Sequence, residues 1–66
     1  MEKDITAMNK ATLFEELKPI NIQTCREITN QIISENRKVS IDFAKNQQIV
    51  YAVEVKKVLI YFGFLD

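Results

Sequence analysis

The chain has no histidine, and among its 66 residues it has one cysteine, one glycine and one proline. One cysteine cannot form an intramolecular disulfide. A structural zinc site takes four Cys or His ligands, of which this chain offers one. A lone glycine cannot build the glycine-rich loop that cradles phosphates. We therefore expect no metal site, no phosphate-binding loop and no cofactor.

The chain also has no excess of positive or negative charge, since nine Lys and Arg balance nine Asp and Glu. Nucleic-acid binders usually carry a basic excess, because phosphate neutralisation supplies much of their affinity. The longest apolar run, residues 58–65 with Gly63 included, is far shorter than the roughly 20 residues of a membrane-spanning helix. Residues 1–4 carry three charged side chains, and the apolar run that a signal peptide needs does not follow them. We expect no signal peptide, no membrane partner and a cytoplasmic protein.

Apolar residues, by contrast, make up 47% of the chain, as is typical of a folded protein. A chain of this length forms one domain, and so small a domain usually needs extra packing or a partner subunit to be stable. We expect residues 1–8 to form a flexible lead and residues 9–66 to form a single helical domain.

A first helix is predicted over residues 10–18. Thr12 and Glu15 match a capping box, in which the hydroxyl accepts from a first-turn amide and the carboxylate reaches back. Pro19 then ends the pattern, because it lacks an amide hydrogen and disfavours a helical residue before it.

A second, amphipathic helix is predicted over residues 22–35. Thr24 and Glu27 form another capping-box match. Apolar side chains follow at helical spacing: Cys25, Ile28, Ile32 and Ile33.

The last third of the chain supports two interpretations. A helix over residues 41–62 would place a stripe of apolar side chains on one face, including Tyr51, Val55, Leu59 and Phe62. Residues 39–43 and 48–55 also alternate in hydrophobicity and are rich in β-branched and aromatic residues, which favours strands. The segment offers no Asn-Gly, Asp-Gly or glycine pair for tight hairpins, so we favour the helix.

The predicted fold class is therefore all-α, a small three-helix domain with a long C-terminal helix. In its core, apolar residues of the first two helices pack onto that third helix. The alternative is an α+β fold, with two helices followed by a small antiparallel sheet.

Catalysis is not indicated by the residues present. Without histidine there is no side chain poised to act as a base near neutral pH. Cys25 has no activating base in an evident position, and we expect it to be a buried, unreactive thiol. We expect no enzyme and no small-molecule substrate.

The strongest positive signal is apolar surface in excess of what two short helices can cover. On a C-terminal helix, a second apolar set lies away from the core stripe, and such patches mark interaction sites. We predict a protein interaction module (an adaptor, inhibitor or regulatory subunit) whose partner is another protein or a second copy, a homodimer being expected. Its interface would comprise Ile49, Val50, Val53, Ile60, Tyr61 and Phe64.

The alternative function is a small dimeric helix-turn-helix regulator that binds DNA. In it, the second helix would be followed by a short break and a recognition helix. Gln and Asn read adenine edges, and Lys contacts guanine or phosphate. The residues that would contact nucleic acid are Arg37, Lys38, Lys45, Gln47 and Gln48.

Overall fold

The computed structural model of the protein describes residues 5–65, which form four helices and one two-stranded antiparallel sheet. In chain order the elements are β1 (Met8–Asn9), α1 (Lys10–Glu16), α2 (Ile22–Arg37), α3 (Ile41–Lys45), β2 (Ile49–Val50) and α4 (Ala52–Tyr61). The mostly helical character agrees with the all-α prediction. The small sheet agrees with one part of the α+β alternative.

The first two helices lie where the sequence predicted them, but other residues cap them. Asn9 Oδ1 accepts from the Thr12 amide at 2.8 Å, and so caps α1. Asn21 Oδ1 accepts from the amide of Gln23 at 2.8 Å, and more weakly from that of Thr24. Asparagine is among the best N-cap residues, because its short side chain reaches the free amides of the first turn. The predicted capping boxes at Thr12 and Thr24 were therefore wrong.

A tight connection joins α2 to α3. Lys38 follows the last turn of α2 in the left-handed conformation, with φ of 57°. The Val39 amide donates to the Ser34 carbonyl at 3.0 Å, and the Ser34 hydroxyl donates to the Val39 carbonyl. Ser40 then caps α3, its hydroxyl accepting from the Phe43 amide at 3.1 Å.

The long C-terminal helix predicted over residues 41–62 does not form. α3 ends at Lys45, the chain runs extended through β2, and a new helix begins at Ala52. β2 pairs with β1 in the register Met8 with Val50 and Asn9 with Ile49. The Lys10 amide extends the ladder with a bond of 2.8 Å to the Gln48 carbonyl. Pairing with the N-terminal strand is thus what interrupts the helical pattern.

The core lies between all four helices and is closed by the small sheet. Full burial of a large apolar side chain stabilises a fold by about 1.5–3 kcal/mol. The fully buried apolar side chains of this core are Leu13, Leu17, Cys25, Ile33, Ala44, Val50, Val55 and Val58. Tyr51, which the sequence placed in the core, is 52% exposed.

The predicted flexible lead, residues 1–8, is only partly described. Residues 1–4 lie outside the described range. Ile5 and Met8 are partly buried and pack against the core, and Met8 belongs to β1. Ile5 and Met8 thus add apolar contacts to the core of the domain.

The chain's one glycine ends α4. Gly63 has φ of 81°, in the left-handed region that side chains disfavour. The Phe64 amide donates back to the Leu59 carbonyl at 2.8 Å, and the Gly63 amide to the Ile60 carbonyl at 3.0 Å. These bonds satisfy carbonyls of the last turn, as in a Schellman motif.

Candidate functional site

The outer side of α4 carries a row of large, exposed apolar side chains. We call this row the α4 face; its members are 43% to 62% exposed and comprise Val53, Ile60, Tyr61 and Phe64. They fall at helical spacing along α4 and the turn after it, so they share one side of the helix. The opposite side of α4 packs into the core through Val55 and Val58.

Ile49 of β2 is also an exposed apolar residue, whereas Val50 is not. Consecutive residues of a strand point to opposite faces. Ile49 is therefore half-exposed while Val50 is fully buried. The inclusion of Val50 in the predicted interface is corrected on this ground, because a fully buried side chain cannot touch a partner. The other five predicted interface residues are all exposed.

The α4 face also lacks negative charge. Glu54 is the only acidic residue between Asp42 and Asp66, and its side chain is fully buried. The charged groups that α4 exposes to solvent are those of Lys56 and Lys57. Lys56 and Lys57 lie one turn after Val53 and one turn before Ile60, so the α4 face combines apolar side chains with positive charge.

The charge of Glu54 can be buried because Arg37 forms a bidentate ion pair with its carboxylate. Arg37 Nε donates to Glu54 Oε2 and Nη2 donates to Oε1, both at 2.8 Å. Asn36 Nδ2 donates to Oε2 at 3.0 Å, and the Tyr51 amide donates to Oε1 at 2.8 Å. Both carboxylate oxygens are satisfied, as a buried charge requires.

Arg37 also joins this pair to the rest of the C-terminal segment. Its Nη2 donates to the Ile49 carbonyl at 2.9 Å. Its guanidinium carbon lies 3.9 Å from the centre of the Tyr51 ring. One side chain at the end of α2 thus positions β2, the ring of Tyr51 and the first turn of α4, and with them the start of the α4 face.

The ionisation of Glu54 follows from these contacts. Burial alone would raise its pKa, but the hydrogen bonds from Arg37, the Tyr51 amide and Asn36 outweigh burial and hold the pKa of Glu54 below its usual range. The bond to Glu54 likewise raises the pKa of Arg37. The pair is therefore charged at neutral pH.

Lys10 is a second buried charge, and no carboxylate among residues 5–65 pairs with it. Its Nζ donates to Asn30 Oδ1 at 2.6 Å, to the Ala44 carbonyl at 2.8 Å and to the Lys45 carbonyl at 3.3 Å. These two carbonyls end α3, where a cation is favoured by the helix dipole. Burial, and then the charges of Arg37 and Arg26, lower the pKa of Lys10. No pattern in the sequence indicated this role.

The residues of the DNA-binding alternative do not come together on one recognition helix. Arg37 is committed to Glu54, and Gln47 is half-buried, accepting from Arg37 Nη1 at 3.4 Å. Gln48 lies in the turn before β2 and uses its carbonyl for the Lys10 amide. Lys38 and Lys45 are exposed. The predicted helix that would carry residues 45–48 ends at Lys45.

Cys25 is buried in the core, where its thiol donates to the Ile20 carbonyl at 3.8 Å. Burial raises the pKa of this thiol. A protonated, enclosed thiol has the properties of a small apolar side chain.

Two further observations concern residues 5–65 as a whole. No helix among them has both the length and the apolar character needed to cross a bilayer. Nor does this part of the chain bring together three or more His, Cys, Asp or Glu side chains that could hold a metal ion.

Comparison of the chain with protein-family models, with curated proteins and with solved structures finds no match.

Proposed function

We propose that this protein is a protein–protein interaction module and that the α4 face, extended by Ile49, is its contact surface. The observation that carries the proposal is the exposure of four large apolar side chains along a single helix and its C-terminal turn. A group of exposed apolar side chains on one element is a common feature of interaction sites. Aromatic residues such as Tyr61 and Phe64 are common hot spots in interfaces.

The geometry of α4 supports a rigid contact surface. The Arg37–Glu54 pair fixes the start of the helix, and the Gly63 turn fixes its end. A module of this design would act as an adaptor, an inhibitor or a regulatory subunit. A second copy of the chain is the simplest protein partner.

The first experiment measures the molar mass of the purified chain by light scattering over a dilution series. In the variant Val53→Asp, the new carboxylate lies in the first turn of α4, where a negative charge is favoured by the helix dipole. The variant should therefore stay folded by circular dichroism while losing association. Phe43→Asp is the matched control, because Phe43 is similarly exposed and lies in the first turn of α3.

A wild-type dimer that Val53→Asp dissociates and Phe43→Asp does not would support the proposal in its self-association form. A wild-type monomer at every concentration would refute that form. Cross-linking in extracts of the source cells with the same two variants then tests for a different partner. Identical cross-linked products from Val53→Asp and Phe43→Asp would refute the α4 face as the contact surface.

A further inference from the structure

A second surface, which shares no residue with the α4 face, concentrates positive charge. A groove of about 570 Å³ opens between α1, the segment that leads into α2, and the end of α3. We call it the α1–α2 groove. Its volume falls within the range of roughly 300–1,000 Å³ that is usual for small-ligand sites.

The charge of the α1–α2 groove is unbalanced. Four basic residues line it, Lys10, Lys18, Arg26 and Lys45, against one carboxylate, Glu15. That carboxylate pairs with Lys18 Nζ at 3.1 Å. Three cations therefore remain without a carboxylate in the groove, in a chain whose total charge is zero.

The fold brings these three basic residues to one groove, and the charge of Arg26 acts on Lys10. Asn30 accepts from Lys10 Nζ, and Arg26 lies one turn before Asn30 on the same side of α2. The Lys45 carbonyl also accepts from Lys10 Nζ. Mutual repulsion in a partly dehydrated space is unfavourable, and a bound anion would relieve it.

Two of these cations are available to a ligand. The three hydrogens of Lys10 Nζ are already used by Asn30 and by the last carbonyls of α3. Within residues 5–65, the side chains of Arg26 and Lys45 make no hydrogen bond or ion pair. Arg26 and Lys45 also line a neighbouring groove, whose carboxylates Glu27 and Glu35 accept hydrogen bonds from Gln23 and Gln31 and form no ion pair with either cation.

The groove has an apolar wall as well, formed by Phe14, Ile20 and Ile22. Phe14 and Ile20 are partly buried against the core, while Ile22 is exposed. An inorganic ion would leave this wall unused. A ligand that carries an apolar body next to its negative charge would cover both parts.

We propose that the α1–α2 groove binds a small organic anion, a carboxylate or phosphate on an aromatic or branched aliphatic body. Arg26 and Lys45 bind the anionic group, and the body lies against Phe14, Ile20 and Ile22. None of these residues belongs to the α4 face, so this proposal does not depend on the proposed protein–protein interaction. The arginine fork suits a planar carboxylate or a phosphate in particular.

The test is a titration of the ¹⁵N-labelled chain followed by amide chemical shifts. Phenyl phosphate is the probe, with inorganic phosphate (charge without body) and phenol (body without charge) as separate arms. Phenyl phosphate should give saturable shifts confined to the amides around residues 14, 20–26 and 45. Each of the other two probes should bind about tenfold more weakly or worse, because each lacks one of the two contacts.

Variants then assign the binding to the groove. Arg26→Gln and Lys45→Gln should each weaken phenyl phosphate binding by about fivefold or more, since each removes a charge-assisted hydrogen bond. Lys38→Gln and Lys56→Gln remove exposed lysines outside the groove and should change the affinity by less than about twofold. Arg26→Lys, which keeps the charge, should retain part of the binding.

Three results would overturn the proposal. The first is shifts from phenyl phosphate that never saturate. The second is an equal loss of affinity in Lys38→Gln and Arg26→Gln, which would indicate general attraction to positive charge. The third is saturable, steeply salt-dependent binding of a mixed-sequence DNA duplex at the same amides without binding of phenyl phosphate. That result would make the groove a nucleic-acid contact instead.

Discussion

Replacing Arg37 by alanine should remove most of the stability of this protein. The variant removes both hydrogen bonds that Arg37 donates to the Glu54 carboxylate, which has no exposure to solvent. It also removes the bond to the Ile49 carbonyl and the guanidinium that lies over the Tyr51 ring. Asn36 and the Tyr51 amide would be the remaining partners of a buried negative charge.

The magnitude follows from the burial of the pair. Breaking a buried ion pair by removing one partner typically destabilises a protein by about 3–5 kcal/mol, because the other charge stays buried and unpaired. Folded proteins are stable by roughly 0.05–0.15 kcal/mol per residue, which gives about 3–10 kcal/mol for a chain of this length. Loss of Arg37 is therefore expected to leave a substantial unfolded population at 25 °C.

Urea unfolding followed by far-ultraviolet circular dichroism measures this loss. Arg26→Ala is the matched control, because Arg26 lies on the same helix with an exposed side chain, and its loss should change the stability by at most about 0.5 kcal/mol. A loss of less than about 1 kcal/mol in Arg37→Ala would refute the reasoning, since such a value is typical of surface ion pairs.

A double-mutant cycle isolates the pair itself. The cycle consists of Arg37→Met, Glu54→Leu and the double variant. Apolar replacement of a whole buried pair is often tolerated, whereas either single variant leaves one buried charge alone. The double variant should be less destabilised than the sum of the single variants by about 1.5 kcal/mol or more. Additive losses would show that the two side chains are not coupled.

Acid should weaken the pair in the same assay. The pKa of Glu54 is depressed in the folded state, so the unfolded chain binds the additional proton first as the pH falls. The contribution of Glu54 is therefore complete above about pH 5 and is lost as the pH falls through the usual range of a free glutamate and below it. Glu54→Gln should be less stable at neutral pH and lose less stability on acidification. Parallel pH profiles for both proteins would contradict this assignment.

Three other predictions concern single side chains. The buried Thr29 Oγ1 has no hydrogen-bond partner within residues 5–65, so Thr29→Val should stabilise the protein by about 1 kcal/mol in urea unfolding; a loss of stability would show that the hydroxyl is satisfied. Lys38 is left-handed with φ of 57°, so Lys38→Gly should raise the free energy of unfolding by about 0.5 kcal/mol, and a decrease would indicate that the Lys38 side chain stabilises the fold through other contacts. Cys25 is enclosed in the core, so a thiol reagent should modify it only after denaturation; rapid reaction of the native protein would contradict this.

The first two helices could be predicted from sequence because their signals are local. Apolar residues at helical spacing gave boundaries within two residues of those observed at each end. The capping residues were assigned wrongly because each helix begins with the pattern Asn-x-x-Thr, as in Asn9–Thr12 and Asn21–Thr24. Either residue type suits an N-cap. The structure selects the asparagine and places the threonine inside the first turn.

The break after residue 45 could not be predicted, because distant side chains determine it. The segment 46–51 contains neither glycine nor proline. Lys10, far away in the sequence, binds the last carbonyls of α3, and Arg37 together with Glu54 fixes the start of α4. Local propensity describes neither contact. The helical pattern was therefore right for α3 and α4 alone, and the alternating pattern for β2 alone.

The exposure of the candidate site was predictable in part. Val53, Ile60, Tyr61 and Phe64 are exposed whether α4 is a separate helix or part of a longer one. Val50 was misplaced because a helix was assumed where the chain forms a strand. Glu54 is fully buried, and nothing in the sequence indicated its pairing with Arg37.

The Gly63 turn has a consequence for the thermodynamics of binding at the α4 face. Two backbone hydrogen bonds fix the main chain at Gly63 and Phe64, so the point from which this aromatic side chain leaves the backbone is set when the chain folds. A partner would not need to order a loose C-terminal segment, and less conformational entropy would be lost on association. A variant that loosens the turn, such as Gly63→Ala, should therefore weaken binding mainly through an unfavourable entropy change.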